Sequence, residues 1–205
     1  MNKAAAARRM ALCCRQLAAR GLIAGRDGNL SVRLGAKRVL VTPSGYIKAL
    51  VTAADMVEVD LAGKPRQPGS RKPTSELDLH LRILRSRPDV QAIVHAHPPA
   101  ATGFAVAGQE IPANLLPELI FVVGPVPLVP FAMPGTPELG DRVVPYLEGK
   151  RHNALLLANH GAVTMGSTLD EAWIRMETLE HAARIIWFAR SIGEPHALAQ
   201  LEKDA

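Results

Sequence analysis

Two closely spaced histidines end one apolar segment of the sequence. His95 and His97 follow an apolar run with the character of a β-strand. Side chains alternate between the faces of a strand, so residues two apart point the same way, with Cα atoms about 7 Å apart. A third histidine, His160, follows a second apolar run at 154–158. Three imidazoles with one coordination position left open are the ligand set of a catalytic zinc site rather than a structural one.

Glu76 lies in a segment, Pro73-Thr-Ser-Glu, that predicts the start of a helix running to about Arg85. Thr74 or Ser75 would cap this helix, which places Glu76 in its first turn. A glutamate at that position is commonly explained by the helix dipole, whereas a glutamate beside a cation can also transfer protons. The local sequence leaves both interpretations of Glu76 open.

Two loops combine glycine with small polar residues. The first contains Gly28 and Asn29 and leads into a strand, and the second contains Ser44 and Gly45 and ends the predicted strand 38–42. Glycine lets the backbone approach a ligand closely and has no side chain to obstruct it. Exposed backbone N–H groups in such loops favour an anion, so these four residues form a candidate anion site.

The composition restricts the classes of partner. The 205 residues carry a formal net charge of +5, only 4% of them are aromatic, and the basic residues are dispersed. This pattern argues against a nucleic-acid partner, whereas positive surface charge favours small anionic substrates. The length is sufficient for one domain with a full core and does not require two.

Three features predict a cytoplasmic protein without a membrane segment. Cys13 and Cys14 are adjacent in a helical pattern and cannot cross-link distant segments, which is typical of buried thiols in a reducing compartment. The N-terminal residues lack the apolar region of a secretory signal. The most apolar stretch, Ile111 to Phe131, is interrupted by prolines, which excludes a simple membrane helix.

Strands and helices alternate along the chain, and several strands are joined by hairpins. This order predicts an α/β fold in which a mixed sheet has helices on both faces. Short strands are predicted at Leu119–Val123 and Val126–Val129, and a helix at Pro137–Leu147. The last helix, from Thr168 to about Ser191, has apolar residues around both sides of its later turns, which indicates a contact with another subunit.

Five short motifs occur in a fixed order along the chain: GNLS, TPSG, PTSE, HAHP and NHG. Each is weak alone, but together, at these separations, they make the chain resemble the class II aldolase and adducin family over residues 5–190. The resemblance implies one domain of residues 1–205, a three-layer α/β/α fold with a mixed, mostly antiparallel central sheet. It also implies a homotetramer with active sites near the subunit interfaces.

The resemblance assigns roles to individual residues. The metal ligands would be His95, His97 and His160, holding one Zn²⁺ per subunit or another divalent cation. Glu76 would be the catalytic base and could also bind the metal. His80, one helical turn after Glu76, is interpreted as a packing residue beside the site rather than a ligand. The phosphate site would overlap the candidate anion site and comprise Gly28, Asn29, Ser44, Gly45, Thr74 and Ser75.

The activity implied is that of a zinc-dependent lyase, an aldolase that cleaves a small ketose 1-phosphate to dihydroxyacetone phosphate and an aldehyde through a metal-bound enediolate. The alternatives are an epimerase, dehydratase or decarboxylase of a sugar phosphate on the same metal, or a non-catalytic adducin-like binding domain. A binding domain has no need of three histidines and Glu76, so their presence favours an enzyme. Related epimerases usually carry aspartate where Glu76 stands, which favours carbon–carbon cleavage.

The sequence departs from the family pattern at residues that concern the proton donor and the substrate. Aldolases of the family use tyrosines as acids, one in the segment that here reads NLLPELIF and one in the C-terminal tail, whereas the tyrosines of this chain are Tyr46 and Tyr146. The identity of the proton donor and of the aldehyde half therefore stays open. Four apolar residues indicate a pocket suited to a deoxy or thioether-bearing sugar: Leu115, Leu116, Ile120 and Phe121.

Overall fold

A seven-stranded sheet forms the centre of the described chain, which comprises residues 2–67, 69–150 and 152–198 of a computed structural model. The strands are β1 (Asn29–Gly35), β2 (Arg38–Val41), β3 (Val57–Val59), β4 (Ala92–Ala96), β5 (Leu128–Val129), β6 (Ala154–Leu157) and β7 (Gly161–Gly166). They lie in the order β3-β2-β1-β4-β7-β6-β5, and all neighbours are antiparallel except the parallel pair β5 and β6. The predicted mixed, mostly antiparallel sheet is confirmed.

Within the described residues, five α-helices cover the two faces of this sheet: α1 (Lys3–Ala19), α2 (Leu77–Ser86), α3 (Pro99–Val106), α4 (Pro137–Val143) and α5 (Leu169–Ile192). Helices α1, α3 and α5 pack on one face and α2 and α4 on the other, so the buried apolar residues form two cores. This is the predicted three-layer α/β/α arrangement. None of the described helices is long and apolar enough to cross a membrane.

The middle strands divide their side chains between the two cores. In β4, Ile93 packs in the core of α2 and α4. Its neighbours in the strand, Ala92 and Val94, pack in the other core. His95 shares the face of Ile93 because side chains alternate along a strand. In β1, Asn29 pairs directly with His95, and the alternation turns Asn29 and Ser31 toward α2. Polar residues of two adjacent strands therefore gather on the α2 side of the sheet.

Two segments differ from their predicted structure. Leu119–Val123, predicted as a strand, forms a single π-helical turn that Gly124 closes by donating its N–H to the first carbonyl of the turn at 2.7 Å. A short apolar run does not distinguish a buried helical turn from a strand by its periodicity. The helix predicted at Pro137–Leu147 ends at Val143 and continues as a 3₁₀ segment, because Pro145 has no N–H for an α-helical hydrogen bond.

The later turns of α5 expose several large apolar side chains. Leu179 and Ile186 pack into the core, whereas Trp187 and Phe188 are 61% and 56% exposed and Ile192 is more exposed still. Burial on both sides of this helix, as the sequence indicated, does not occur within one subunit. An apolar surface of this kind is typical of a contact with another protein chain, which stays a prediction here.

Candidate metal centre and active site

The three predicted histidines lie together at the ends of the middle strands. His95 is in β4, His97 follows that strand, and His160 lies in the turn between β6 and β7. Asn159 forms this turn with a positive φ of 55°, which asparagine adopts more readily than most residues. Gly161 lets β7 pass close to His97, because an added Cβ would lie 2.6 Å from its ring. The ring centroids are 4.7 to 5.0 Å apart, and one nitrogen of each histidine lies within 4.8 Å of the others.

Backbone and carboxylate partners orient two of the rings. The Nδ1–H of His95 donates to the carbonyl of Ala162 at 2.9 Å, and Nδ1 of His97 lies 3.6 Å from a carboxylate oxygen of Asp27. With both Nδ1 atoms protonated, the Nε2 lone pairs of His95 and His97 face each other at 3.2 Å. Two nitrogens bound to one zinc at about 2.05 Å in tetrahedral geometry are about 3.3 Å apart. The donor set therefore fits a divalent cation.

Glu76 completes the cluster. Its Oε2 lies 3.1 Å from Nε2 of His95, and its Oε1 lies 3.3 Å from Nε2 of His160. The residue is only 7% exposed, and Oε1 has no hydrogen-bond partner among the described residues. Nδ1 of His160 is likewise buried without a partner in that part of the chain. A buried carboxylate beside two of the three clustered imidazoles suits either a further metal ligand or a proton acceptor.

The position of Glu76 corrects the sequence-based expectation. Helix α2 begins at Leu77, so Glu76 is the residue before the helix and not part of its first turn. Its side chain makes no capping hydrogen bond, while its backbone N–H donates to Oγ1 of Thr74 at 3.4 Å. The carboxylate instead accepts a hydrogen bond from Nδ2 of Asn29 at 2.7 Å. The interpretation of Glu76 as a residue that stabilises the helix dipole is therefore the weaker one.

The pKa values of the cluster follow from burial and from neighbouring charges. Burial raises the pKa of Glu76, but the nearby imidazoles of His95 and His160 and the Asn29 amide lower it more, so the carboxylate stays ionised. Burial and the charge of His95 lower the pKa of His160 to about 4. Burial also lowers the pKa of His97. Burial lowers the pKa of His95 as well, but the Glu76 carboxylate and the Ala162 carbonyl raise it more. Neutral imidazoles are the form that binds a metal, so the lowered pKa values of His97 and His160 favour cation binding at neutral pH.

His80 lies beside the cluster but outside it, as the sequence predicted. It is fully buried on α2 and reaches across to β1, with Nδ1 2.7 Å from Oγ of Ser31 and Nε2 2.5 Å from Oδ1 of Asn29. Burial lowers the pKa of His80 to about 3. No sequence pattern indicated these contacts, because the partners are about 50 residues apart along the chain.

We expect the metal-free protein to lose stability as the pH falls below about 6.5, in part because of His80. The unfolded chain protonates His80 near pH 6.5, whereas the folded chain does so only near 3, so between these values the unfolded state binds more protons. This one group contributes at most about 1.4 kcal/mol per pH unit. Urea unfolding at pH 7 and pH 5 measures the free energy of unfolding at each pH. The difference between the two values should be smaller in His80→Gln than in the wild type. His181→Gln, at an exposed position on α5, should match the wild type, and an unchanged slope in His80→Gln would contradict the assignment.

The six residues predicted to bind phosphate lie on three neighbouring loops: 25–29, 42–46 and 72–76. Hydrogen bonds join the second and third loops, since the Ser44 N–H donates to the Lys72 carbonyl at 2.9 Å and the Thr74 N–H to the Thr42 carbonyl at 3.0 Å. These two N–H groups are already used, so Ser44 and Thr74 would offer their hydroxyl groups to an anion. Gly28 and Gly45 have positive φ angles of 71° and 78°, and Ser75 is exposed.

A buried lysine joins the first two of these loops. Nζ of Lys48 donates to the carbonyl oxygens of Arg26 at 2.8 Å and Tyr46 at 3.2 Å, and its backbone N–H donates to Gly25. Burial lowers the pKa of Lys48. A cation fixed between two glycine loops favours an anion there. The sequence pattern does not single out Lys48, because lysines are usually exposed and nothing local predicts that this one is buried.

A family model described as Class II Aldolase and Adducin N-terminal domain matches residues 8–187. The chain belongs to the class II aldolase and adducin family. It is 39% identical over 184 residues to the 5-methylthioribulose-1-phosphate/5-deoxyribulose-1-phosphate aldolase of Rhodospirillum rubrum, a match that covers 90% of this chain and 81% of the relative. It is 35% identical over 172 residues to the 3-oxo-tetronate 4-phosphate decarboxylase of Pectobacterium atrosepticum, covering 82% and 77% of the two chains.

Solved structures of the class II aldolase and adducin family share this fold. An L-fuculose 1-phosphate aldolase superposes with a TM-score of 0.87 at 33% sequence identity, covering 96% of this chain and 92% of that one. The predicted α/β fold and family membership are confirmed by these matches. The similarity to both aldolases and a decarboxylase leaves the reaction to be inferred from the site.

Proposed function

We propose that this class II aldolase homologue is a metal-dependent lyase that cleaves a small ketose 1-phosphate into dihydroxyacetone phosphate and an aldehyde. The observation that supports the proposal most directly is the placement of Glu76, an ionised and buried carboxylate within 3.3 Å of two of three clustered imidazoles. A binding domain would have no need of an ionised carboxylate beside three clustered imidazoles. His95, His97 and His160 would hold the cation, which we propose to be Zn²⁺.

Cleavage moves one proton within the substrate. The bond between the third and fourth carbons breaks, the hydroxyl group on the fourth carbon loses its proton, and the third carbon gains one. A divalent cation in this site would supply Lewis acidity that stabilises the negative charge left on the dihydroxyacetone half. Glu76 would carry the proton, because its Oε1 has no other partner in the described chain and its carboxylate is ionised.

The phosphate group would be bound by the three neighbouring loops. The proposed contacts are Gly28, Asn29, Ser44, Gly45, Thr74 and Ser75. The buried ammonium group of Lys48 adds positive charge between two of these loops. Binding energy from the phosphate is remote from the reacting carbons and can hold the substrate in the reactive position.

The aldehyde half of the proposed substrate is apolar, as in a 5-deoxy or 5-methylthio pentulose 1-phosphate. The relative from Rhodospirillum rubrum carries these substrates in its name. Of the apolar residues predicted to line the pocket, Phe121 is exposed, whereas Leu115 and Leu116 are partly buried against the core. Phe131 and Met133 are also exposed. Their segment approaches the phosphate loops at Gly135, where an added Cβ would lie 3.2 Å from the carbonyl oxygen of Ser75.

Decarboxylation of a phosphorylated sugar acid is the second candidate function. The relative from Pectobacterium atrosepticum is named for this reaction. Loss of carbon dioxide beside a carbonyl leaves the same kind of carbanion and needs a proton at the same carbon, so the same site could serve both reactions. Glu76 would deliver the proton in each case, having taken it from the hydroxyl group on the fourth carbon in the cleavage and from water in the decarboxylation.

A substrate screen tests the proposal. Purified metal-loaded protein is offered ketose 1-phosphates, with and without a 5-deoxy or 5-methylthio group, and phosphorylated 3-oxo sugar acids, and the release of dihydroxyacetone phosphate and of carbon dioxide is measured. We expect dihydroxyacetone phosphate from the ketose 1-phosphates, with the highest kcat/KM for an apolar fifth carbon. Dihydroxyacetone phosphate and carbon dioxide from the 3-oxo sugar acids, with no product from the ketose 1-phosphates, would replace lyase action on ketoses by decarboxylation. No product from any compound would contradict both.

We further propose that the subunits form a homotetramer. The exposed apolar side chains of α5 and the neighbouring part of α3 support this, since they line a groove of about 660 Å³. The groove is bounded by Phe104, Trp187 and Phe188, with Arg184 and Arg190 beside them. Apolar grooves rimmed by charged residues are typical of protein–protein contacts.

A further inference from the structure

Three side chains connect the sheet to Glu76 through consecutive hydrogen bonds. Ser31 contacts Nδ1 of His80 at 2.7 Å, Nε2 of His80 contacts Oδ1 of Asn29 at 2.5 Å, and Nδ2 of Asn29 contacts Oε2 of Glu76 at 2.7 Å. Ser31 and His80 are fully buried, and Asn29 and Glu76 are nearly so. Water therefore does not substitute for these partners, and each hydrogen bond that is lost leaves a buried polar atom unsatisfied.

The ionised carboxylate of Glu76, at one end of this series of hydrogen bonds, determines the direction of every hydrogen bond in the series. An ionised carboxylate only accepts hydrogen bonds, so the NH₂ group of Asn29 must face Glu76 and its oxygen must face His80. That oxygen only accepts, so Nε2 of His80 carries the proton and Nδ1 does not. The hydroxyl group of Ser31 must then donate to Nδ1. A neutral His80 meets these requirements in one tautomer only.

We propose that His80 is a positioning residue for the catalytic carboxylate, acting through Asn29, and that Ser31 holds its ring by donating to the unprotonated Nδ1. The kinetic consequence rests on the proposed function of Glu76, whereas the tautomer does not. By fixing the Asn29 amide, His80 holds Oε2 of Glu76 in place and leaves Oε1 directed at the metal ligands and the substrate. Without His80, the Asn29 oxygen would lose its donor, and a flipped amide would present that oxygen to the carboxylate and repel it.

Kinetics of matched variants test the positioning role. In His80→Leu we expect kcat to fall about 30-fold while KM and metal content stay within about threefold of wild type, as for other residues that orient a reacting group. His80→Gln should recover most of the loss, because its amide N–H can still donate to Asn29. Ile83→Ala is the control, since Ile83 is fully buried on the same helix but packs only in the apolar core.

Two kinetic outcomes would overturn the proposal. Equal losses of kcat in His80→Leu and His80→Gln would show that the hydrogen bond from residue 80 to Asn29 does not position Glu76. A loss of kcat in Ile83→Ala as large as in His80→Leu would assign the effect to packing of α2.

Solid-state ¹⁵N NMR of histidine-labelled protein tests the hydrogen-bond directions without any activity measurement. The resonances of His80 are identified by their absence in His80→Gln. We expect a protonated Nε2 and an unprotonated Nδ1, and the same tautomer in Ser31→Ala, because the Asn29 oxygen still requires a donor. A protonated Nδ1 in the wild type would overturn the proposal even if the enzyme cleaves ketose 1-phosphates. The expected tautomer in a protein without lyase activity would leave the hydrogen-bond chain intact and remove only the proposed function.

Discussion

Replacing Glu76 with glutamine should lower the turnover of a ketose 1-phosphate at least about a hundredfold and leave the metal bound. Glutamine keeps the size of the side chain and can still accept the hydrogen bond from Asn29, but it cannot carry a proton from the hydroxyl group on the fourth carbon to the third carbon. The three histidines are untouched, so the ion stays. Single-turnover kinetics and elemental analysis of Glu76→Gln measure the two quantities separately.

The control for this variant is Glu138→Gln. Glu138 lies in the first turn of α4, is exposed, and pairs with Arg142 on the same helix. Its substitution removes the same charge from the protein and should leave turnover unchanged. Turnover of Glu76→Gln close to that of the wild type would remove Glu76 from the mechanism and leave the proton carrier to be found elsewhere.

Replacing His97 with alanine should reduce both metal binding and activity, the latter by about a thousandfold. Only the imidazoles of His95 and His160 would remain to bind the cation, so its affinity for the site would fall. His97 suits the experiment because its side chain is 28% exposed, so its truncation leaves no closed cavity in the core. Metal content after dialysis against a weak chelator and kcat/KM at saturating Zn²⁺ are the two measurements.

His181→Ala provides the matched control for the histidine variant. His181 lies on α5 at an exposed position, outside the three-histidine cluster, so its loss should change neither quantity. A wild-type protein that purifies with no stoichiometric divalent ion and gains no activity when one is added would favour an adducin-like binding domain.

The sequence predicts the parts of the site that depend on local order. Alternation predicts that His95, in β4, and His97, just after this strand, point the same way. The Asn-His-Gly turn brings the third imidazole to the same end of the sheet. The interleaving of strands and helices predicts the three layers. In each case the spacing of residues that are close in the sequence determines the geometry, so no knowledge of contacts between distant segments is needed.

The contacts that the sequence does not predict are those between distant segments. Asn29 and Glu76 are 47 residues apart, and no pattern around either one indicates that the amide would bind the carboxylate. The start of α2 is also misplaced, since the helix begins at Leu77 and the Glu76 carboxylate accepts a hydrogen bond from Asn29 instead of capping the helix. The strand predicted at Leu119–Val123 is wrong because tertiary packing, not apolar content, selects the π-helical turn.

The pairing of Asn29 with His95 across β1 and β4 restricts where the chain tolerates changes in length. Deleting one residue within β1 would turn Asn29 and Ser31 into the opposite core and bring Leu30 and Val32 to the polar side. The tight hairpin between β1 and β2, at residues 36 and 37, lies at the far end of these strands and carries none of the site residues. Peptide tags or reporter domains are therefore better inserted at this hairpin than anywhere else along the first strand.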